Sequence, residues 1–383
     1  MAEYDLTKLY DKYEGFHYPY ARVYLGGQDP EQDGKLGARI YDYSVEITSD
    51  FKASIASFSI GGMFNDTAGL FNMSKLKKYI YLGNDVKIFM GHASSIMEVF
   101  RGYIARVDFS YNPDTSAEGV IRITAMDVKG IMMSNNSHKR LSANYYSDAV
   151  SEIFNGAVYQ NLINRQIITD LSVSDTPDKP PGGAGPEPPD NRIELVAESD
   201  YDFVVKAAKK FNYEFFTVGG NIAFRKAKSN TQELIEIIPS TVIKSFDIGY
   251  DITGVVGSVK VRTLDIGKAN KIEVQKKNSA KFSLGSKAKP MIANQVYVYT
   301  DSSIETQADA DLRASYLLES MSYRLGSLNM KIDGIPEIVP GRFVVLKDFG
   351  DGVSNKYYVT DVIHEFYENG EYTTTIVGKA ATL

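Results

Sequence analysis

Two hydrophobic periods share the chain. From Tyr18 to Met133 apolar residues recur mostly at every second position, as in "ARVYLGG", "YDYSVEITSD" and "ASIASFSIGG", and Gly, Asp and Ser split these runs into short strands. "FNMSKLKKYIYLG" carries Leu76, Ile80 and Leu82 and predicts one helical turn leading into a strand. "DVKIFM", "MEVFRGYIARVDFSY" and "GVIRITAMDV" follow as strands. In the middle one, Phe100, Gly102 and Ile104 share a face, while Val107 and Phe109 fall in the opposite phase. A phase change inside a strand predicts a bulge where a sheet bends.

From Leu141 the period lengthens. "SDAVSEIFNGA" places Val150, Ile153 and Phe154 on one helical face, with Ser147 as the expected N-cap. The segment from Ser174 to Asn191 holds six of the thirteen prolines and almost nothing apolar, so it is expected to be an exposed, mobile loop, either a surface insertion or a docking arm. Downstream, Ser199 and Asp202 form a capping box with Asp in place of Glu. They open a helix whose apolar stripe is Phe203, Val204, Ala207, Ala208 and Phe211. "YEFFTV", a Gly-Gly turn and "NIAFRK" read as a hairpin. Strands return from Ile237 as "VIKSFDIGYDI", "GSVKVRTLD", "KIEVQKK" and "NQVYVYT". A helix starting at Thr306 and Asp309, and expected to stop at Gly326, interrupts them. "LNMKIDG", "RFVVLKD" and "KYYVTDVIHEFYENGEYTTTIVG" complete the series.

The two strand-rich ends echo each other. "LGNDVKIFMG" opens at Gly83 and "PGRFVVLKDFG" at Gly341. Each leads through a strand and a hairpin to a long bent strand, and the closing turns at Asn112 and Asn369 follow at nearly the same interval. The expectation is a β-rich α+β protein of two tandem, related β-barrels, since closure removes strand edges that invite uncontrolled pairing. The first barrel is expected at 16–135, an α/β subdomain at 140–230 with the Pro-rich loop at 174–191, and the second barrel at 237–383 with one inserted helix. Three copies of such a chain place six similar units about one axis, with true threefold and approximate sixfold symmetry.

Composition narrows the function. At 383 residues, 43% hydrophobic and 23% charged, the chain has room for a large core and needs no covalent staples. It has no cysteine, which excludes a disulfide framework, thiolate zinc ligands and a cysteine nucleophile. The net charge is -6 and no basic run exceeds three residues, so no specific nucleic-acid binding is expected. The N-terminal stretch does not read as a signal peptide, and no apolar run approaches a membrane helix, so no membrane insertion is expected.

Motifs that carry chemistry fail on inspection. "DPEQDG" from Asp29 to Gly34 begins like a calcium loop, but the twelfth position is Ile40, where a bidentate Glu is needed, so a turn is expected. "DFG" from Asp348 to Gly350 lacks every other kinase element and reads as a hairpin turn. His17, His92, His138 and His364 show no ligand spacing; "IHEFYE" is not H-E-x-x-H and lies on a strand. Isolated acids such as Asp361 and Glu365 could in principle form a glycosidase pair, although charged strand residues usually form the wet face of a sheet. No catalytic, cofactor-binding or metal-binding residue is assigned, and no cofactor.

Four stretches carry a family resemblance. They are "YLGNDVKIFMG" with "VFRGYIARVDFSY", "YYSDAVSEIF", "AESDYDFVVKAAKKFNYEFFTVGGNIAFRK", and "TQADADLRASYLLE" through "GIPEIVPGRFVVL". Together they resemble the baseplate hub, or tail protein D-like, proteins of contractile phage tails and the N-terminal hub region of type VI secretion spike proteins. The resemblance runs from Tyr18 to Lys379, and the Pro-rich loop is longer than the family leads one to expect. It implies a non-enzymatic homotrimer, assembled in the bacterial cytoplasm, that sits in the tail baseplate of a virion, a bacteriocin or another contractile injection particle. Its partners would be the inner tube protein, the central spike protein and other baseplate proteins. As the chain stops at Leu383, the spike is expected to be a separate protein. A tail-tip cell-wall hydrolase and a carbohydrate-binding β-protein are the alternatives.

Overall fold

In the computed structural model, which describes residues 2–382 except 34–36, 66, 113–118, 181–192, 266–269, 279–286, 302–303 and 305, the period-two runs form strands. The chain opens with α1 (Leu6–Lys12), capped by the Asp5 side chain. It continues through β1 (Pro19–Leu25), β2 (Arg39–Thr48), β3 (Ile55–Gly61) and a small hairpin of β4 (Phe64–Asn65) and β5 (Leu70–Phe71). The one-turn α2 (Met73–Leu76), β6 (Asp85–His92), β7 (Ser95–Ser110) and β8 (Val120–Met126) complete the region. The sheet order is β1-β6-β7-β8-β3-β2, all antiparallel. Val23, Val45, Phe58, Ile88, Ile104 and Ile123, one from each strand, are buried in a single cluster, so the sheet curls around them. The expected phase change in β7 is a bulge at Ala105, between the pairs Ile104↔Ala125 and Arg106↔Thr124.

Next come α3 (Val128–Ser134), β9 (Asn136–Arg140), α4 (Tyr146–Phe154), α5 (Ala157–Asn164), β10 (Asp170–Val173), β11 (Glu194–Ser199), α6 (Asp200–Phe211), β12 (Tyr213–Val218) and β13 (Asn221–Lys226). The hairpin β12–β13 turns on Gly219 and Gly220, both at positive φ. At the start of α6 the Ser199 hydroxyl accepts the Asp202 N–H, as the capping box requires, and all five predicted stripe residues are buried. The start of α4 departs from expectation. Ser147 lies inside the helix and caps nothing; its N–H donates to Thr176 Oγ1 (2.9 Å), and the Tyr146 N–H donates to Asp178 Oδ2 (3.0 Å). The helix is thus capped from a distance by the first residues of the Pro-rich segment. Those residues are docked rather than mobile: Thr176 is buried and Lys179 pairs with Asp148. Positions 181–192 of that segment lie outside the described residues.

The last third holds β14 (Glu233–Ile237), β15 (Ile243–Tyr250), β16 (Ser258–Asp265), β17 (Asn270–Lys277), α7 (Ala288–Ala293), β18 (Val296–Thr300), α8 (Gln307–Ser322), β19 (Gly326–Asp333), β20 (Phe343–Leu346), β21 (Lys356–Phe366) and β22 (Tyr372–Ala380). The insertion between β15 and β19 is larger than the single helix expected. β17-β16-β18 form a separate sheet under α8, around Val259, Val261, Ala310 and Ala314. Thr306 caps α8 as predicted, but the helix ends at Ser322, and Gly326 is the first residue of β19.

The remaining strands repeat the first sheet. Their order is β14-β20-β21-β22-β19-β15, the same permutation of chain order as β1-β6-β7-β8-β3-β2. The likeness extends to single hydrogen bonds. The Gly83 N–H donates to Ile104 O and the Ile104 N–H to Asn84 O; the Gly341 N–H donates to Val359 O and the Val359 N–H to Arg342 O. Both glycines have positive φ (82° and 77°). The bulge at Ala105 recurs at Thr360, between Val359↔Gly378 and Asp361↔Val377. One strand breaks the likeness: β14 runs parallel to β20, whereas β1 is antiparallel to β6.

Neither sheet closes by hydrogen bonding, which corrects the expectation of two closed barrels. Among the described residues β1 does not pair with β2, nor β14 with β15. Other groups fill the gaps. In the first, Glu31 accepts the Ile40 N–H (3.0 Å) and Arg22 pairs with Asp29 (3.2 Å). In the second, β14 is joined by the N-terminal segment through Glu3 N–H to Glu233 O and Tyr4 N–H to Leu234 O. Leu9, Tyr13 and Phe16 then enter the core with Met330, Val344 and Ile376. The two sheets are also one. β21 pairs with β20 through Lys356–Tyr358 and with β2 through Asp361–Phe366, so it belongs to both. Among the edges that pair with no described strand are the outer side of β15, and Arg106–Ser110 of β7 where it runs beyond β6.

The equivalent glycines make a paired test. A Cβ on Gly83 meets nothing within 4 Å, whereas one on Gly341 falls 2.4 Å from Phe216 Cζ. Gly83→Ala is expected to cost about 1–2 kcal/mol, the left-handed backbone penalty alone. Gly341→Ala adds about 1–3 kcal/mol of overpacking. Urea unfolding midpoints of the two variants check the difference.

Candidate assembly surfaces

The chain contains one extended joint between its two sheets. β2 and β21 pair antiparallel from Tyr43↔Phe366 to Thr48↔Asp361. The Ser49 N–H then donates to the carbonyl of the bulged Thr360 (2.8 Å). On the side chains, Tyr43 and Phe366 meet edge to face with ring centroids 6.0 Å apart, and Lys52 bridges Glu46 on one strand to Asp361 on the other.

The turn after β2 is fixed from below by a buried lysine. Lys129, in the first turn of α3, donates its Nζ to Asp50 O (3.3 Å) and Lys52 O. Desolvation lowers its pKa, and the adjacent Asp127 carboxyl, which accepts the Ser54 and Lys129 N–H groups, is raised by the same burial. Tyr201 of α6 donates its hydroxyl to Phe51 O. The turn therefore gathers bonds from both the α/β region and the second sheet.

A second contact crosses the same boundary. His92, at the end of β6, places Nε2 2.7 Å from Gly334 O, with ring centroids 5.5 Å from both Tyr13 and Tyr372. A Cβ on Gly334 would stand 2.0 Å from Tyr372 Cδ1, so only glycine permits this approach. His364 on β21 sits 3.0 Å from Thr374 Oγ1 and 3.1 Å from the Tyr372 hydroxyl through Nδ1. Burial lowers both histidine pKa values, that of His364 to about 4. These two of the four histidines are thus core groups at the joint. His17 contacts Tyr18, and His138 lies on β9, in a different sheet.

The other sequence candidates are turns and ion pairs. Asp29 accepts the Glu31 N–H (2.9 Å) and pairs with Arg22; 34–36 of that stretch lie outside the described residues. Asp348–Gly350 turns between β20 and β21 with Asp348 and Gly350 at positive φ, and Phe349 packs 5.5 Å from Phe246. Asp361 and Glu365 are each bound to a different lysine, Lys52 (3.0 Å) and Lys331 (3.3 Å). Among the described residues no three His, Asp or Glu side chains gather around a common point, and no helix is long and apolar enough to cross a membrane.

Sequence reasoning missed the polar junction where α8 meets the rest. A cavity of about 160 Å³ is bounded by the turn after β2, the hairpin β12–β13, α8 and β21. Glu214 in its wall accepts from Arg225 Nε (2.6 Å) and from the Tyr358 hydroxyl, whose pKa burial drives far up. Lys228 pairs with Glu319 (2.8 Å) over the Tyr323 ring (4.4 Å). These charged side chains are engaged with one another, which suits a buried structural junction. Their partners lie up to 144 positions apart, so no local pattern could reveal them.

The fold is shared with known tail proteins. The chain is similar in structure to the 43 kDa tail protein of prophage MuSo2 from Shewanella oneidensis (TM-score 0.67, 12% identity, 95% of this chain and 98% of that one). It is also similar to a tail protein from Neisseria meningitidis MC58 (TM-score 0.63, 13% identity, 95% and 97%). The E. coli c3393 protein, a type VI secretion component with structural similarity to T4 bacteriophage tail proteins gp27 and gp5, aligns at TM-score 0.54 and 9% identity over 93% and 76%. The sequence resemblance to baseplate hub and tail proteins is thus met in the fold. A family model described as the Alg8 N-terminal domain matches residues 186–368. That range starts ahead of β11 and ends just past β21, cutting through the α/β region and the second sheet, so it corresponds to no single folded unit. No curated protein matches the chain.

The buried histidines predict acid sensitivity. His364 is neutral in the folded state down to about pH 4, whereas the unfolded chain takes up its proton near 6.5, so the unfolded state binds more protons in that window. Stability is fully present above about pH 6.5 and falls, by on the order of 3 kcal/mol, as the pH drops toward 4. His92 adds a contribution of the same sign. His364→Gln is expected to flatten most of the slope in urea unfolding measured from pH 7.5 to 4.5.

Proposed function

We propose that the chain is a structural, non-enzymatic hub of a contractile tail or injection particle, a homotrimer that adapts a sixfold inner tube to a threefold central spike. The observation that carries this reading is the duplicated sheet: two units of identical strand order, fused edge to edge in one chain. Three copies supply six near-equivalent units, which matches a hexameric ring on one face while the molecule keeps true threefold symmetry for the spike. The two open, curled sheets serve as the barrel equivalents, and 16–135, 140–230 and 237–383 are the units of the hub, with the N-terminal segment completing the third. Fold neighbours that are tail proteins, and one that is a type VI secretion component, support the same assignment. Tube, spike and other baseplate proteins are the partners, and the tail baseplate of a virion or a released particle is the location.

The mechanism is geometric. Contraction drives tube against spike, and the hub carries that axial load through strand pairing and packed cores. Interfaces between protomers on the order of 2,000 Å² are expected for such an obligate ring. Co-expression with the tube and spike proteins of the same particle, followed by native mass measurement, is expected to give a complex with three copies of this chain. A stable monomer that binds neither protein overturns the reading.

A further inference from the structure

We infer that protomers join head to tail by pairing β15 of one copy with the Arg106–Ser110 half of β7 of the next, repeating between chains the joint that β2 and β21 make within one. This inference rests on the hub reading above and names the interface of that assembly. The two joints are quasi-equivalent. β2 is the second strand of the first sheet and β21 the fifth strand of the second. Their counterparts are β15, the second strand of the second sheet, and β7, the fifth strand of the first. β2 engages β21 beyond the point where β20 stops pairing with it. β7 likewise continues beyond β6, and there its edge has no strand beside it among the described residues. The outer edge of β15, which corresponds to the edge that β2 gives to β21, is equally unoccupied. Both halves of the internal joint thus exist a second time, unmated.

The bulges fix the register. Ile104 and Val359 hold the same position before their bulges, so Val107 corresponds to Val362, Phe109 to His364 and Tyr111 to Phe366. Through β3 and β19, Val45 corresponds to Ile248 and Tyr43 to Phe246. Transferring the observed pairs places Phe246 opposite Tyr111, Ile248 opposite Phe109, Tyr250 opposite Val107 and Asp251 opposite Arg106 of the neighbour. The chemistry agrees at these four pairs. The aromatic pair Tyr43–Phe366 becomes Phe246–Tyr111, apolar residues face apolar residues, and opposite charges meet at the end. In the internal joint Tyr43 is 2% exposed, whereas Phe246 on one edge and Phe109 and Tyr111 on the other are 47%, 47% and 46% exposed, aromatic surface that a second copy would bury. The β4–β5 hairpin touches Tyr111 and Phe109 through Phe64 and Phe71 yet leaves both exposed. Because each copy offers one edge of each kind, the contact is heterologous and forms a ring when its rotation closes.

The absence of cysteine makes the test clean. Asp247 and Ser110 are exposed and stand opposite each other in the transferred register, within disulfide reach of directly facing strand residues. The double variant Asp247→Cys with Ser110→Cys, oxidised in the full-length chain, is expected to give a covalently closed trimer on a non-reducing gel. Each single variant, and the off-register pair Asp247→Cys with Arg106→Cys, is expected to give none. An oligomer by mass that fails to cross-link in register, or that links equally off register, overturns the strand pairing and leaves the hub reading standing. An in-register open ladder or a closed ring of another size supports the pairing and overturns the threefold hub. A chain that stays monomeric by mass with and without the tube protein, and does not cross-link, overturns both.

Discussion

Strand β21 carries two sheets on one edge, and most of the molecule follows from that sharing. Its first residues complete the second sheet through β20, and its later ones complete the first through β2. A backbone can serve two partners in this way only if it bends between them, and the bulge at Thr360 supplies the bend at the point where one partner ends and the other begins. The bulged carbonyl is not wasted, because it receives the Ser49 N–H from the turn that follows β2. That turn in turn needs Lys129 beneath it, so a cation enters a region where desolvation opposes its charge. The unit of stability is therefore the joint rather than either sheet alone.

The same constraint explains why neither sheet is closed. A barrel that closes on itself presents no edge, and an edge is what β2 offers β21. The first sheet leaves a gap that Glu31 and Arg22 bridge with side chains. The second is filled by the first residues of the chain, whose Tyr13 hydroxyl reaches the buried Glu337 carboxylate at 2.7 Å. Curvature gathers an apolar core while the rim stays available. On the hub reading proposed above, an axial load would run through covalent chain and ladder bonds rather than through surface loops.

Much of this was legible in the residues, and what was not has identifiable causes. The helix α6 with its Ser199 cap and the hairpin at Gly219–Gly220 are local, and their signals sit within a dozen residues. The duplication was visible because Gly83 and Gly341 both require a left-handed backbone before a strand, and the reversal of phase in β7 marked its bulge. Ser147 misled because a serine before an apolar run predicts a cap, while the cap in fact arrives from Thr176 and Asp178. The inserted sheet β17-β16-β18 looked like more of the same barrel because alternation reports burial of one face and says nothing of which core lies behind it. No pattern in the first residues showed that they belong to a core built by the last.

That crossing of the N-terminal segment has a temporal side. Leu9 and Tyr13 leave the ribosome first, yet their partners Leu234, Met330, Val344 and Ile376 leave it late. The helix that carries them waits, undocked, until β19, β20 and β22 have been made, and the second core seals only when those strands and α1 are present together. A product that stops before β19 therefore leaves its first helix unhoused.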